Sequence, residues 1–383
     1  MTDEASSSCS KEEETKNLCD KVRTSCRRWM TSDEEHKKRS VTLHSSKIPA
    51  LASQILSNDT AIAWDDEQWH YTGSNYTGGS KAQRKERVAL FLLALDAINF
   101  CFWPMTDEDV DDSKETNSLE YEHLTVALKR LAEQDDNDDN HNHSADHKEE
   151  DGISITRSSP TFAFSPQQLQ SMTSDRMRGL LEPHLDGHVL PNIEQRCQLW
   201  NEVGTVLLNN FQGSATYLLD QAHGSAPQLV DLVYQNFPGF RDTVRLPSSK
   251  TTIYFLKRAQ ILVGDLNAAL ELQLKDLDQL TTFADYRVPQ LLRHVGVLEY
   301  STELATKVDS YQELEQNSEW ELSIRAGTVV AVEELVDYLN SHSKSNSKEY
   351  TAVSIDWYLW QVGEKLHQQG QLQPFHRVRT HFY

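Results

Sequence analysis

The sequence predicts a mainly α fold, a single helical domain with minor β elements near the N-terminus. Three observations favour this class. Apolar residues recur at three- and four-residue spacing in several segments, strand-like alternation is scarce, and no apolar run reaches the roughly 18 residues that a membrane helix needs. The chain of 383 residues is long enough to bury a sizeable core.

The N-terminal part of the chain holds an extension and the first strong helix. Residues 1–40 are charged and rich in serine, and we interpret them as a disordered extension. The domain then covers 41–383, in which 41–80 predict a short extended segment, one helix and a loop. Residues 82–102 predict a long helix, because their apolar side chains share one face and Pro104 stops the pattern.

The remainder of the chain, from about 165 onward, is predicted to be helical. Apolar stripes with helical spacing alternate with turns such as FPGFRDT. The predicted helical segments are 200–211, 218–234, 255–270, 288–295, 329–339 and 354–366.

The charge is strongly negative, at −21 from 37 Lys+Arg and 58 Asp+Glu. Residues 107–122 and 133–151 carry −15 of it, and we interpret about 133–152 as a disordered acidic insertion. Three histidines lie in that insertion, but nothing apolar would fix their geometry, so we predict no metal site. Such a field repels phosphate backbones and argues against nucleic-acid partners, although a local basic pocket still suits a small anion.

The cysteines and the N-terminus point to one compartment. Five cysteines without paired spacing favour reduced thiols over a disulfide framework or a zinc site. The polar, acidic N-terminus does not resemble a secretory signal. We therefore expect a cytoplasmic monomer, with presence in the nucleus left open, that needs no cofactor and contacts no membrane.

Four short blocks place polar residues in strongly apolar surroundings, and the first is DAINFCFW at the end of the first long helix. Asn99 stands there beside Phe100, Phe102 and Trp103. Aromatic rings can stack on a planar ligand while an amide binds its edge. A cluster that only anchors the core explains the same composition, and on this block alone it is the simpler interpretation.

The second and third blocks carry opposite charges. Lys257 and Arg258 are adjacent on an amphipathic helix, where they suit a phosphate clamp or, for one of them, catalysis; exposed cations lying along apolar surface are the alternative. Asp285, followed by Tyr286 and Arg287, precedes a helix. Its carboxylate either caps that helix or stabilises a developing cation in a pocket.

The fourth block lies near the C-terminus, where Asp356 and Trp360 belong to DWYLW, and His376 and Arg377 to PFHRVR. A chain end with this many aromatic and basic residues favours a docked segment over a frayed tail. An anion site is therefore plausible at this end of the chain.

Together these blocks resemble the queuosine 5′-phosphate N-glycosylases of eukaryotic queuosine salvage. The resemblance is carried by DAINFCFW, FPGFRD, LKRAQILVGDL, TTFADYRVPQLLRHVGVLEYS, ELSIRAG, IDWYLW and PFHRVR. It covers about 41–383 without the acidic insertion, and 41–80 match only loosely. It implies an all-helical fold similar to helix-hairpin-helix DNA glycosylases, and hydrolysis of queuosine 5′-monophosphate to queuine and ribose 5-phosphate.

The resemblance also implies roles for residues. It makes Lys257 and Asp285 the catalytic pair. It suggests substrate contacts for the aromatic, amide, carboxylate and basic members of the four blocks, which are Asn99, Phe100, Phe102, Trp103, Arg258, Tyr286, Arg287, Asp356, Trp360, His376 and Arg377. Among these, Arg258, Arg287 and Arg377, with Lys257, are the phosphate candidates.

The chemistry of that substrate requires catalysis mainly by stabilising charge on the sugar. Breaking the N-glycosidic bond builds positive charge on the ribose, which a carboxylate stabilises or attacks. Queuine is a 7-deazaguanine, so a carbon replaces the nitrogen whose protonation helps ordinary purines leave. Asp285 is therefore the residue on which we expect the rate to depend. Two alternatives stay open, a glycosylase for damaged DNA, which the net charge disfavours, and a non-catalytic binder of modified nucleosides.

Overall fold

The structure is a computed structural model. It describes residues 17–31, 40–57, 64, 69–103, 119–145 (without the side chains of 140–145), 162–247, 249–343 and 349–383. The acidic residues 107–118 and most of the loop before Trp69 lie outside these ranges, as do the side chains of the histidines in the acidic insertion.

The prediction of a mainly α fold is confirmed. Within the described residues the helices are α1 Leu18–Thr31, α2 Ile48–Ser57, α3 Lys81–Ala97, α4 Tyr121–Ala145, α5 Pro166–Gln170, α6 Ser174–Leu181, α7 Ile193–Asn210, α8 Ala215–Gln221, α9 Ala226–Asn236, α10 Lys257–Ala269, α11 Arg287–His294, α12 Thr302–Asp309, α13 Glu319–His342 and α14 Ala352–Gln368. The strands are β1 Val41–Leu43, β2 Thr243–Arg245, β3 Thr252–Tyr254, β4 Leu298–Tyr300, β5 Glu313–Leu314 and β6 Arg377–Val378.

The strands form three two-stranded sheets, and only one of them includes the N-terminal region. β1 pairs antiparallel with β4, β2 antiparallel with β3, and β5 parallel with β6. The predicted β element near the N-terminus is β1, whereas the other two sheets were not predicted, because strands of two or three residues are too short to show alternation in the sequence. Their pairing ties segments that are far apart in the chain.

Two groups of buried side chains form the core. One surrounds α3, α7 and α10, and the other surrounds α2, α11 and α14; α13 contributes to both and joins them. In α3 every residue from Arg87 to Ala97 is buried, so this helix is covered on all sides. None of the described helices combines the length and the apolar character needed to cross a membrane.

The prediction that 1–40 are disordered is wrong for α1. Cys19, Val22, Cys26 and Trp29 are buried at helical spacing, and α1 packs against α13 and β3. The Trp29 indole N–H also donates to the Ser323 hydroxyl at 3.2 Å. Charged and serine residues between these apolar positions dominate the composition, although the spacing itself predicts an amphipathic helix.

The acidic insertion is also more ordered than predicted, because α4 continues through its first half. Asp136 and Asp139 face α3, where the Arg87 guanidinium contacts them at 3.0 and 2.7 Å. The Tyr71 hydroxyl donates to the Asp136 carboxylate at 2.9 Å. Acids three residues apart share one helix face, so these carboxylates are buried pairing groups and not solvated charge.

We expect Trp29→Ala to lower the free energy of unfolding by about 3–5 kcal/mol, because it removes a buried indole and leaves a cavity. Arg27→Ala, at an exposed position of the same helix, should change it by less than about 0.5 kcal/mol. Urea denaturation of both variants measures the difference. Equal free energies of unfolding for the two variants would indicate that this segment is a disordered extension.

Candidate active site

One pocket collects much of the chemistry that the sequence predicts. It has an empty volume of about 730 Å³, including the solvent space at its open mouth. It lies where the two core groups meet, since Trp357 packs against one and Trp360 against the other. The lining residues are Trp64, Trp69, His70, Asn99, Phe102, Tyr121, Lys257, Ile261, Asp265, Phe283, Asp285, Tyr286, Asp356, Trp357, Trp360 and Gln361.

Lys257 is the cation of this pocket. It is the first residue of α10, it is only 4% exposed, and its ammonium donates to the backbone carbonyl of Asn99 at 3.3 Å. Burial lowers the pKa of Lys257 to about 8, although Asp285 acts in the opposite direction. The side chain is therefore still largely cationic at neutral pH.

Asp285 lies just before α11 and combines the two roles that the sequence left as alternatives. Its Oδ1 accepts hydrogen bonds from the backbone N–H groups of Arg287 and Val288, both at 3.0 Å, and so caps the helix. No described residue donates to Oδ2. Burial raises the pKa of Asp285, whereas Lys257 is the largest influence that lowers it.

A buried ion pair fixes the backbone at both of these residues. The Arg325 guanidinium binds the Asp242 carboxylate through two hydrogen bonds, of 3.0 and 2.5 Å. Asp242 also accepts from the backbone N–H of Lys257 at 3.1 Å, and Arg325 donates to the carbonyl of Ala284 at 3.0 Å. One pair of charges thus holds the start of α10 and the residue before Asp285.

A second carboxyl group lies beside Asp285. Asp356, on α14, accepts hydrogen bonds from the Thr282 hydroxyl and from the backbone N–H of Phe283, the latter at 2.8 Å. Burial, with the negative charge of Asp285, raises the pKa of Asp356 to about 8. Asp356 is therefore largely protonated at neutral pH, whereas the neighbouring Asp285 has the Lys257 ammonium as its cationic partner.

A third carboxyl group, Asp265, lies further along α10. Its Oδ1 accepts from the Trp64 indole N–H at 2.9 Å. Behind it, Asp96 of α3 is fully buried, and neither of its oxygens has a hydrogen bond of normal geometry to a described residue. Burial raises the pKa of Asp265 to about 7, and burial and the Asp265 charge raise that of Asp96.

Aromatic rings form a continuous wall around the pocket. Trp64 lies 4.5 Å from the His70 ring, measured between centroids, and His70 is hydrogen-bonded to the Tyr121 hydroxyl at 2.9 Å. Trp360 in turn packs edge-on against Tyr121 and against Trp69, both at 5.7 Å. Such a wall suits a flat ligand.

The structure brings together about half of the site residues that the sequence predicts. The predicted residues that line the pocket are Asn99, Phe102, Lys257, Asp285, Tyr286, Asp356 and Trp360. Those that do not line it are Phe100, Trp103, Arg258, Arg287, His376 and Arg377.

Arg258 is a buried structural cation. Both interpretations from the sequence, a phosphate clamp and an exposed cation along apolar surface, are therefore wrong for it. Its guanidinium donates to the carbonyls of Asp96 and Ala97 at the end of α3, and to that of Gly239. It thereby satisfies helix-end carbonyls that lack partners within the helix. Phe100 packs under the same guanidinium, 5.5 Å from its ring centroid.

The other outlying residues support the pocket from behind. Arg287 binds the Glu364 carboxylate at 2.6 Å and the Gln290 side chain at 2.6 Å. Trp103 packs edge-on against Tyr286 at 5.8 Å.

The two C-terminal residues also lie outside the pocket. His376 is buried against the Tyr383 ring, and burial lowers the pKa of His376 to about 3, so it is neutral at pH 7. The Arg377 guanidinium covers the Tyr311 ring at 4.7 Å.

Sequence reasoning missed several lining residues. Trp64, Trp69 and His70 come from a stretch interpreted as loop, and Tyr121 from an acidic tract. Three aromatic side chains and a histidine within WDDEQWHY were the available signal. No cluster of three or more His, Cys, Asp or Glu side chains able to hold a metal occurs in the described ranges.

Comparisons with known proteins identify the family to which this chain belongs. A family model described as queuosine salvage protein matches residues 80–162 and 154–383. A queuosine 5′-phosphate N-glycosylase/hydrolase of Dictyostelium discoideum is 36% identical over 324 residues, which cover 84% of this chain and 85% of that protein. Proteins with the same name from Sphaerobacter thermophilus and Bos taurus are 34% and 30% identical over 78% and 90% of this chain, covering 82% and 95% of their own lengths. The chain therefore belongs to the queuosine salvage protein family.

Proposed function

We propose that this protein hydrolyses the N-glycosidic bond of queuosine 5′-monophosphate and releases queuine and ribose 5-phosphate. The names of its relatives support this substrate. The observation that carries the proposal is the pairing of Asp285 with Lys257 in an aromatic pocket. A carboxylate held beside a buried cation suits a reaction that builds positive charge on a sugar.

Asp285 is the group that meets the developing charge at C1′. Two backbone N–H groups fix Oδ1, so the carboxylate is oriented before substrate arrives, and Oδ2 is available to the ribose. Burial raises the pKa of Asp285, and Lys257 is the largest influence that lowers it and so favours the ionised form. The ionised form is the one that stabilises an oxocarbenium ion.

Lys257 is also the candidate for the 5′-phosphate. Among the described residues that line the pocket it is the one lysine, and no arginine accompanies it. The base would lie against aromatic rings such as Phe102, with the Asn99 side chain and the Asp356 carboxyl group as partners for its N–H donors.

The wider setting is part of the proposal. Free queuine is the form that can be inserted again into tRNA, so the reaction would serve tRNA modification. We retain the predictions of a cytoplasmic monomer and of an activity that needs no cofactor, metal, nucleic acid or membrane.

The direct test is to incubate the protein with queuosine, its 5′-monophosphate and its 3′-monophosphate, and to follow free queuine. We expect a kcat/KM for the 5′-monophosphate about 10- to 100-fold above that for queuosine, because one charged hydrogen bond contributes about 1.5–3 kcal/mol. Equal values would contradict a phosphate contact. Binding without queuine release would indicate a non-catalytic binder.

We expect Asp285→Asn to reduce the single-turnover rate by about 10²- to 10³-fold while substrate affinity changes little, because the ground state carries no cation at C1′. Asparagine still accepts at Oδ1 and caps α11 nearly as well. Single-turnover kinetics and equilibrium binding separate the two quantities. A near-normal rate would leave Asp285 with the capping role alone.

We expect kcat/KM to fall as the pH rises through about 8, the pKa of Lys257, because the neutral amine no longer binds the phosphate as a cation. In Lys257→Arg the guanidinium stays charged, so this decline should disappear even if the rate is lower. A pH profile of both proteins tests this. A decline that persists in Lys257→Arg and is lost in Asp356→Asn would assign it to Asp356, whose pKa is also about 8.

A further inference from the structure

The carboxyl group of Asp265 has no part in the reaction described above. It lies eight residues after Lys257 on α10, which places the two Cα atoms about 12 Å apart on the same side of the helix. It lines the pocket, whereas Asp285 and Asp356 are bound to the chain between 282 and 288 near Lys257. The pocket thus has a second acidic end.

This second end has the composition of a cation site. Asp265 is oriented by the Trp64 indole, and the Trp64, His70 and Tyr121 rings follow one another beside it. Behind it the fully buried Asp96 adds a second carboxyl group without a hydrogen bond of normal geometry. A carboxylate next to aromatic faces is the arrangement that binds alkylammonium groups.

The substrate of the proposed function offers one such group. The substituent at position 7 of queuine contains a secondary amine, which is cationic at neutral pH. The guanine edge, by contrast, is neutral and needs only hydrogen-bond acceptors. Lys257 and Arg258 lower the pKa of Asp96, and Lys257 lowers that of Asp265, although burial still raises both pKa values. A further cation would compensate two buried carboxyl groups at one place, which favours the amine as their partner over the guanine edge.

Resting on the proposed function, we infer that Asp265, supported by Asp96 and Trp64, binds the secondary ammonium of the base substituent and makes the enzyme specific for 7-aminomethyl-deazaguanine nucleotides. The pKa values support this assignment. Burial raises the pKa of Asp265 to about 7 although the Trp64 hydrogen bond and Lys257 lower it, and an arriving ammonium would favour its ionised form further.

The test compares two substrates that differ little in shape, the 5′-monophosphates of 7-aminomethyl- and 7-hydroxymethyl-7-deazaguanosine, with queuosine 5′-monophosphate as reference. We expect the wild-type protein to prefer the cationic substrate over the hydroxymethyl one by about 10- to 100-fold in kcat/KM. In Asp265→Asn the preference should shrink to within about threefold, because the amide still accepts from Trp64 but carries no charge. Asp220→Asn, at an exposed position of α8, is the matched control and should keep the preference.

Each outcome has a separate meaning. Equal cleavage of both analogues by the wild-type protein overturns the inference without any variant, so a failure of Asp265→Asn to fold does not weaken the test. A preference for the cationic analogue that survives in folded Asp265→Asn also overturns it. If Asp265→Asn lowers kcat/KM equally on both analogues, Asp265 contacts the guanine edge and the inference is likewise overturned. Failure to release queuine from queuosine 5′-monophosphate would instead overturn the proposed function, and the inference with it.

Discussion

The candidate site depends on the buried ion pair between Asp242 and Arg325. Asp242 accepts a hydrogen bond from the backbone N–H of Lys257, and Arg325 donates one to the backbone carbonyl of Ala284. The two backbone groups belong to segments far apart in the chain. Arg325 is also covered by the rings of Phe255 and of the C-terminal Tyr383, at 4.0 and 4.2 Å. Removing one partner of such a pair leaves an unpaired buried charge, which costs about 3–5 kcal/mol. The active-site geometry and the folding of the C-terminus are therefore maintained by the same contacts.

The second constraint is the balance of charge inside the pocket. Lys257 faces several buried carboxyl groups, and they respond differently because their hydrogen bonds differ. Burial raises the pKa of both, but Asp285 has two backbone donors and Lys257 as the largest influence lowering its pKa, whereas the charge of Asp285 helps to raise the pKa of Asp356 to about 8. Groups of one type with separated pKa values allow one to act as an anion and another as a neutral acid. The fold achieves this with one lysine, since the neighbouring Arg258 is directed at helix-end carbonyls.

The sequence predicted the helical class and part of the site, and the errors have physical causes. Lys257, Asp285 and Asp356 were found because polar residues in apolar segments stand out against helical periodicity. Arg258 and Arg287 satisfy carbonyl and carboxylate groups from other elements, and such tertiary partners leave no local pattern. In α1 and α4 the composition hid the apolar or pairing face, since exposed polar residues outweigh the buried positions of each helix. Trp64 was missed because it lies in a stretch interpreted as loop, and Tyr121 because it lies in an acidic tract.

The difference between long-range and local electrostatics explains why a protein with a net charge of −21 can act on an anionic substrate. Long-range repulsion is screened beyond about 8–10 Å at physiological salt, whereas the local interaction at Lys257 takes place in a buried site where screening is weak. The acids of α4 are partly neutralised by Arg87, and the Tyr121 ring that begins this helix forms part of the pocket wall. The helix α4 thus contributes Tyr121 to the pocket wall, while its carboxylates Asp136 and Asp139 are paired with Arg87 and are not directed at the substrate. The net charge therefore disfavours long phosphate backbones but leaves room for a single phosphate at the lysine end of the pocket.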